Sequence, residues 1–253
     1  MLQKILSRLR KAVTDYDMIN NGDRIAVGIS GGKDSQLLFI AMRELRRFLP
    51  EKFDLIGITI DLGFENYDRE SLKAFYESSG VDYHIEKTNI AQIIFDVRQE
   101  KNPCSLCANM KRGAIYNAAK KLGCNKVAFA HHMDDVIETL LMSQIFEGRI
   151  HTFSPVTFLD RKEITLIRPF IYAEEKLIRT CGKDLGLKPI SSCCPADGGT
   201  RRQMVKELIM DLSRENRHIK ANLFGAIQRA GICGWKVQSS GRQKKDKPED
   251  EQL

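Results

Sequence analysis

Nowhere in these 253 residues does an apolar run approach the roughly 18 positions that a helix needs to cross a bilayer. The opening Met1-Leu2-Gln3-Lys4-Ile5-Leu6 lacks the long apolar stretch and small-residue cleavage site of a secretory signal. No internal repeat is visible, which excludes a solenoid or an array. These absences predict a cytoplasmic protein without membrane association, and the length suits one domain with a small extension. Disulfides are excluded on the same ground, because that compartment keeps the seven cysteines reduced.

What is present is enough for a core: 42% of the residues are hydrophobic and 29% charged, as in ordinary globular chains. Lys and Arg exceed Asp and Glu by 40 to 33, and the net charge of +7 suits a polyanionic partner without requiring one. Cys124, Cys181 and Cys233 are scattered and read as small buried hydrophobes. Two pairs are close in sequence, Cys104 with Cys107 and Cys193 with Cys194.

Leu2, Ile5, Leu6, Leu9, Ala12 and Val13 recur at helical spacing, so residues 1–20 read as an amphipathic helix broken at Asn21-Gly22-Asp23. Arg24–Ile29 is a short apolar strand, followed by a Ser/Gly loop and a helix from Ser35 to Phe48. Leu55–Ile60 is a second buried strand that ends at Asp61. A helix over Arg69–Ser79 leads to a third strand at Tyr83–Glu86, then to helical patterns over 90–98 and 109–122. Lys126–Ala130 is the fourth strand. Alternation of this kind predicts an α/β fold, a parallel sheet covered by helices on both faces in the Rossmann-like manner, with a small helical C-terminal extension.

Beyond residue 150 the pattern weakens. Ile164–Arg168 reads as an edge strand, and Glu174–Leu185, Arg201–Arg214 and Ile219–Ala230 as helices. The pattern divides the chain into an N-terminal helix (1–20), an α/β domain that carries Cys104 and Cys107 (21–190), a helical segment that carries Cys194 (191–238) and a tail (239–253) expected to be disordered.

Ser30-Gly31-Gly32-Lys33-Asp34-Ser35 lies between a buried strand and a helix. Glycines there let the backbone approach an anion, while free amides, the helix dipole and Lys33 stabilise its charge. The spacing differs from the common nucleotide-hydrolase loop: three residues separate Gly28 from Gly32, and Asp34 follows Lys33. A tight turn with a solvated Lys and Asp is the plainer alternative. Ala130-His131-His132-Met133-Asp134-Asp135 ends the fourth strand, where sites of open parallel sheets lie. Its paired carboxylates suit magnesium; one of them is expected to cap the next helix, leaving Asp135 in the site. Pro103-Cys104-Ser105-Leu106-Cys107 brings two thiols within reach of one metal centre, with a redox pair, a zinc site and two buried thiols as alternatives.

The loop Ser30–Ser35 in this setting resembles the pyrophosphatase-loop family, which cleaves ATP between its α and β phosphates and transfers adenylate to an oxygen. His131-His132-Met133-Asp134-Asp135 is similar to the segment found in that family's base-modifying branch, the tRNA thiolases and lysidine synthetases. Over residues 20–230 the chain resembles the tRNA 2-thiocytidine synthetases. There, Cys104-Ser105-Leu106-Cys107 is followed by Lys111-Arg112-Gly113, and Cys194 precedes Gln203 of Thr200-Arg201-Arg202-Gln203 by nine residues. Cys193 and Cys194 are adjacent where that family commonly has a second C-x-x-C, so register favours Cys194 with Cys193 as the alternative. The paired zinc-binding C-x-x-C modules of the related two-thiouridine enzymes are absent.

The resemblance implies an adenine nucleotide alpha hydrolase-like fold, ATP and Mg2+, and a 4Fe-4S cluster on Cys104, Cys107 and Cys194 with one iron free of protein ligands. By it, Ser30, Gly31, Gly32, Lys33, Asp34 and Ser35 bind the nucleotide, with Asp61, His131 and Asp135 at neighbouring strand ends. Lys33, Asp34, Lys111 and Asp135 are the implied catalytic residues. The implied reaction adenylates a base carbonyl, the C2 oxygen of a cytidine, and replaces it with sulfur. Implied partners are tRNA and a sulfur donor, either a cysteine desulfurase-derived persulfide or inorganic sulfide. Arg8, Arg10 and Lys11, and Arg201, Arg202 and Lys206, are candidates for RNA phosphates. The N-terminal helix suits a homodimer interface as well as packing on its own domain. Three competitors stand beside this expectation: a lysidine synthetase-like enzyme, a small-molecule adenylating or sulfur-transfer enzyme, and a non-catalytic iron-sulfur protein. Lys33 and the acidic pair argue against the last.

Overall fold

A computed structural model describes residues 1–99, 103–190 and 201–235; Cys193, Cys194 and the tail 239–253 lie outside the described residues. Along β1 (Asp23–Gly28) successive side chains leave for opposite faces, Ile25 and Val27 into one apolar core and Ala26 into another. The same division runs through β2 (Phe53–Asp61), whose Leu55 joins the first core and whose Ile56, Ile58 and Ile60 join the second. Both strands are buried almost throughout, which is why they read as continuous apolar runs.

With β3 (Tyr83–Lys87), β4 (Lys126–Ala128), β5 (Val156–Leu159) and β6 (Ile164–Ile167) they form one sheet in the order β3-β2-β1-β4-β6-β5. Neighbours pair in parallel except β5, which is antiparallel to β6. This corrects the placing of Ile164–Arg168 at an edge: β6 lies inside the sheet, with β5 outside it. Four residues long and with Phe158 59% exposed, β5 carries no buried-run signature. Strand β4 also stops at Ala128 rather than Ala130, freeing the next residues to leave the sheet as a loop.

One face is covered by α1 (Leu2–Asp15), α2 (Lys33–Leu45) and α3 (Arg69–Ser79). The other carries α4 (Ile90–Gln92), a π-helical turn (Ile93–Val97) and α5 (Pro103–Lys121). The first face is completed by α6 (Met133–Glu147), α7 (Glu175–Asp184), α8 (Arg201–Glu215) and α9 (Ile219–Ala230). Ile5, Leu6, Leu9, Ala12 and Val13 of α1 are buried in that core. Burying each large aliphatic of this kind is worth about 1.5–3 kcal/mol, so this stripe anchors α1 to the domain and is not open as a dimer interface. Trp235 is fully buried in the same core, donates from Nε1 to the Phe153 carbonyl at 2.9 Å, and meets Tyr16 and Phe224 edge-on. No helix among the described residues is long and apolar enough to cross a membrane.

Candidate active site

Past β1 the chain is still tied to the sheet, since Ile29 N donates to the Ile58 carbonyl at 2.8 Å; then it turns. The turn requires Gly31, whose φ of +86° lies in the left-handed region and whose absent Cβ would meet Ile190 Cβ at 3.2 Å. Ser35 holds the loop from within, its Oγ donating to the Gly32 carbonyl at 2.8 Å and accepting from Ser30 N at 3.1 Å. Gln36 holds it from behind, Nε2 donating to the carbonyls of Gly31 and Lys188 at 3.1 and 3.0 Å. Ile190 N adds a second bond to the Gly31 carbonyl at 2.9 Å. The first turn of α2, with Gly32 as its cap, offers backbone N–H groups without intrahelical partners, the setting in which helix ends bind phosphate.

A cavity of about 560 Å³ opens at the carboxyl ends of β1, β2, β4 and β6. Of the residues singled out from the sequence, Ser30, Gly32, Asp34, Ser35, Lys111 and His131 line it; Gly31, Lys33, Asp61 and Asp135 stand outside the lining. Burial raises the pKa of Asp34, with His132 opposing and Asp135 adding to the rise. Asp61 is 2% exposed and commits both oxygens to a local lock. Arg69 Nε and Nη2 donate to them at 2.6 and 3.2 Å, and Gly63 N donates at 3.0 Å. That lock fixes the segment that brings Phe64 and Tyr67 to the cavity wall.

The two adjacent aspartates divide their work differently from the sequence expectation. Asp135, assigned to the site with capping left to its neighbour, is itself the cap: Oδ2 accepts from His132 N at 2.9 Å while His132 Nδ1 accepts from Asp135 N at 3.4 Å. Its other oxygen accepts from Arg202 Nη1 at 2.8 Å, and the same nitrogen reaches Glu138 at 3.1 Å. Asp134 is buried, accepting from Glu175 N at 2.7 Å and from Lys220 Nζ. Burial pushes its carboxyl up, but the bonds from Lys220 and Glu175 outweigh that and hold it below the usual range. Burial raises Glu138 against the opposing charge of Arg202. Arg202 and Lys206, candidates for RNA phosphates, are thus engaged with carboxylates, Lys206 with Glu175 at 2.7 Å.

On α5 the cavity is lined by Ala108, Lys111, Arg112 and Ile115, spaced as one helical face. Cys104 and Cys107 stand four residues before Ala108 and Lys111, one turn up the same face. Cys104 is exposed and Cys107 half-buried. Two thiols so spaced fit one metal centre, iron-sulfur or zinc. Among the described residues no cluster of three metal-binding side chains occurs, and Cys194, the third expected ligand, lies outside them. Cys124 and Cys181 are buried and their thiols raised by that burial, whereas Cys233 is half-buried with its sulfur 3.6 Å from His151 Nδ1, contrary to the reading of all three as core.

Sequence reasoning missed Phe129, Arg112 and Arg168 in the cavity wall, and Gln36 behind the loop. Arg168 was within reach, since it follows a strand at the end where such sheets build their sites. Burial, then the nearby charge of Arg168, draws the His131 pKa down to about 4, so its ring is neutral at neutral pH.

Residues 1–211 match the PP-loop domain family. The chain is similar to the tRNA-cytidine(32) 2-sulfurtransferase of Pelobacter propionicus, 40% identical over 230 residues that cover 90% of this chain and 86% of the relative. It is 39% identical over 228 residues to the protein of the same name from Geobacter metallireducens, covering 89% of each. Its fold is similar to that of the U34-tRNA thiolase NcsA from Methanococcus maripaludis, solved with its 4Fe-4S cluster. That likeness has a TM-score of 0.71 at 24% identity and covers 88% of this chain and 77% of the thiolase. The NH3-dependent NAD synthetase of Campylobacter jejuni shares the fold at a TM-score of 0.51 and 16% identity, covering 90% and 92%.

Proposed function

The chain belongs to the PP-loop domain family, and from that premise we propose that it is an ATP-dependent tRNA sulfurtransferase acting on cytidine 32, the nucleoside named in its curated relatives. One observation carries the reading. A single cavity is lined both by the phosphate-type loop, through Ser30, Gly32, Asp34 and Ser35, and by the α5 face one turn below Cys104 and Cys107. Activation and sulfur delivery therefore meet at one place.

The chemistry follows from what must leave. A carbonyl oxygen is a poor leaving group, so it is first converted into a good one. The base C2 oxygen attacks the α-phosphorus of ATP, an O–P bond forms, the α–β bridge breaks, and pyrophosphate departs. Sulfur then adds to C2, the C2–O bond breaks, and AMP leaves with the former carbonyl oxygen. The N-terminal amides of α2 and Lys33 stabilise the charge gathering on the departing pyrophosphate. Asp34, at the cavity wall, would hold magnesium against the phosphates, while Asp135 caps α6 beside the site and pairs with Arg202. Lys111 reaches the cavity from the cysteine-bearing helix and would offset negative charge on the adenylated base. Cys104, Cys107 and Cys194 would hold a 4Fe-4S cluster, which supplies a metal position for sulfur. The sulfur arrives as inorganic sulfide, or from a persulfide that adds to C2 and whose S–S bond is then cleaved by a second thiol, which is oxidised to a disulfide; the reducing cytoplasm is the compartment that suits these thiols.

Anaerobic purification with iron and sulfide analysis tests this reading, alongside Cys104→Ala, Cys107→Ala and Cys194→Ala. About four irons and four sulfides per chain, lost in each variant, are expected, together with 2-thiocytidine in tRNA incubated with ATP and sulfide. Zinc in place of iron, or ATP consumption independent of tRNA, would overturn it in favour of a cluster-free or small-molecule adenylating enzyme.

A further inference from the structure

Arg168 follows the last residue of β6 and is 7% exposed. Its Nη1 donates to the Ser154 carbonyl and to Thr157 Oγ1 at 3.2 Å, and its guanidinium lies 4.9 Å from the centre of the Phe153 ring. Three contacts thus fix the group, yet Nε, shut off from solvent, has no acceptor among the described residues. The same is true of Nδ1 of His131. Both residues line the cavity. No carboxylate among the described residues is paired with Arg168, and the nearby charge of Arg112 repels it. Burial draws its pKa down to about 10, which still leaves it charged at neutral pH.

A buried guanidinium without a carboxylate is less favourable than an apolar side chain of its size, and each enclosed unpaired donor costs about 1–3 kcal/mol. Uncompensated buried charges of this kind persist at functional sites, and the Arg168 side chain stands in the cavity wall, where a ligand can approach the guanidinium. The ligand's class follows from the walls. Phe129, Leu166 and Ile115 give this end of the cavity flat apolar faces, while Arg168 and His131 supply converging polar groups. A small anion needs no apolar walls; a planar ring with carbonyl and ring-nitrogen acceptors needs both. The β2 end, with Ile60 and Leu62, carries no such cation and suits the adenine of ATP.

Resting on the thiolation reading above, we propose that Arg168, positioned by Phe153, Ser154 and Thr157, is the specificity residue of the subsite that receives the target pyrimidine. It donates to the acceptor edge of the ring, and His131 completes the ring's polar contacts. The nucleotide is bound elsewhere in the cavity and does not depend on it.

The test compares wild type, Arg168→Met and Arg168→Lys for affinity toward two RNAs: an anticodon stem-loop with cytidine at position 32, and the same stem-loop abasic at that position. ATP affinity and melting temperature are measured in parallel. Arg168→Met is expected to bind the cytidine RNA about tenfold or more weakly, to bind the abasic RNA as wild type does, and to keep its ATP affinity. Its melting temperature should hold or rise, because an uncompensated buried charge is gone. Arg168→Lys, which keeps the charge, serves the same comparison should the methionine variant fail to fold. Equal loss on both RNAs, or loss of ATP affinity with RNA binding intact, would overturn the proposal. If wild type itself does not distinguish the two RNAs and forms no AMP with either, the thiolation reading has failed instead.

Discussion

Between Gly28 and Ser35 one end of the cavity is bounded by a single short stretch of chain, held by bonds among Ser30, Gly31, Gly32, Ser35 and Gln36. The other end is composite: Phe129 and His131 come from beyond β4, Arg168 from β6, and Lys111 and Arg112 from α5 on the opposite face of the sheet. The first end is made mostly of backbone, and its chemistry depends on dihedral angles. The second is made of side chains and depends on how separate elements pack. The difference teaches where each end can be broken: the loop by adding a Cβ, the composite end by changing one charge.

The largest effect should come from Gly31→Val, which puts a branched side chain at φ +86° against Ile190. AMP formation should fall by about 100-fold or more while circular dichroism stays that of the folded protein. Near-normal pyrophosphate release would show that the loop is not built by its backbone in the way described. Next comes Lys111→Gln, which should lower thiolation by about 100-fold yet leave ATP affinity unaltered by calorimetry. A matching loss of ATP affinity would erase the distinction between the two ends.

Arg202→Gln should act more mildly, because its side chain is 42% exposed and its ion pairs are screened. A fall in melting temperature of about 2–4 °C at most is expected. Adding Glu138→Gln should recover part of the melting temperature, since the buried carboxylate that Arg202 served is then neutral. An additive double variant would mean the pair is not coupled.

The smallest effect is a slope with pH. His131 is depressed from 6.5 to about 4 in the fold, so between those values the unfolded chain takes up a proton that the folded one refuses. Its contribution to stability is therefore whole above pH 6.5 and is lost as pH falls toward 4. Denaturant titrations at pH 7 and pH 5 should show a smaller acid loss in His131→Gln than in wild type. Equal losses would put the ring in water.

The same contrast explains what could be read from the chain alone. The loop, the paired thiols on α5 and the strands β1 and β2 are local, and local spacing announces them. Asp61 illustrates the limit: its place at a strand end was legible, but that Arg69 and Gly63 would take both oxygens was not. Asp135 and Arg202 illustrate it again, because 67 residues separate a cap from the guanidinium that neutralises it. Short β5 and the interior place of β6 were lost for a related reason, since a four-residue edge strand buries too little to leave a pattern.

By itself, then, the sequence determined the phosphate-type turn, the C-x-x-C helix and the alternation that makes a helix-covered sheet, because backbone dihedrals and helical or strand periodicity act over a few residues. Only the tertiary structure decided that α5 faces the loop across one cavity, that Arg168 is buried beside His131 with no carboxylate partner among the described residues, and that Arg202 belongs to Asp135 and Glu138. Those facts depend on which strands become neighbours, and that is fixed by burying two apolar faces at once rather than by any short stretch of chain.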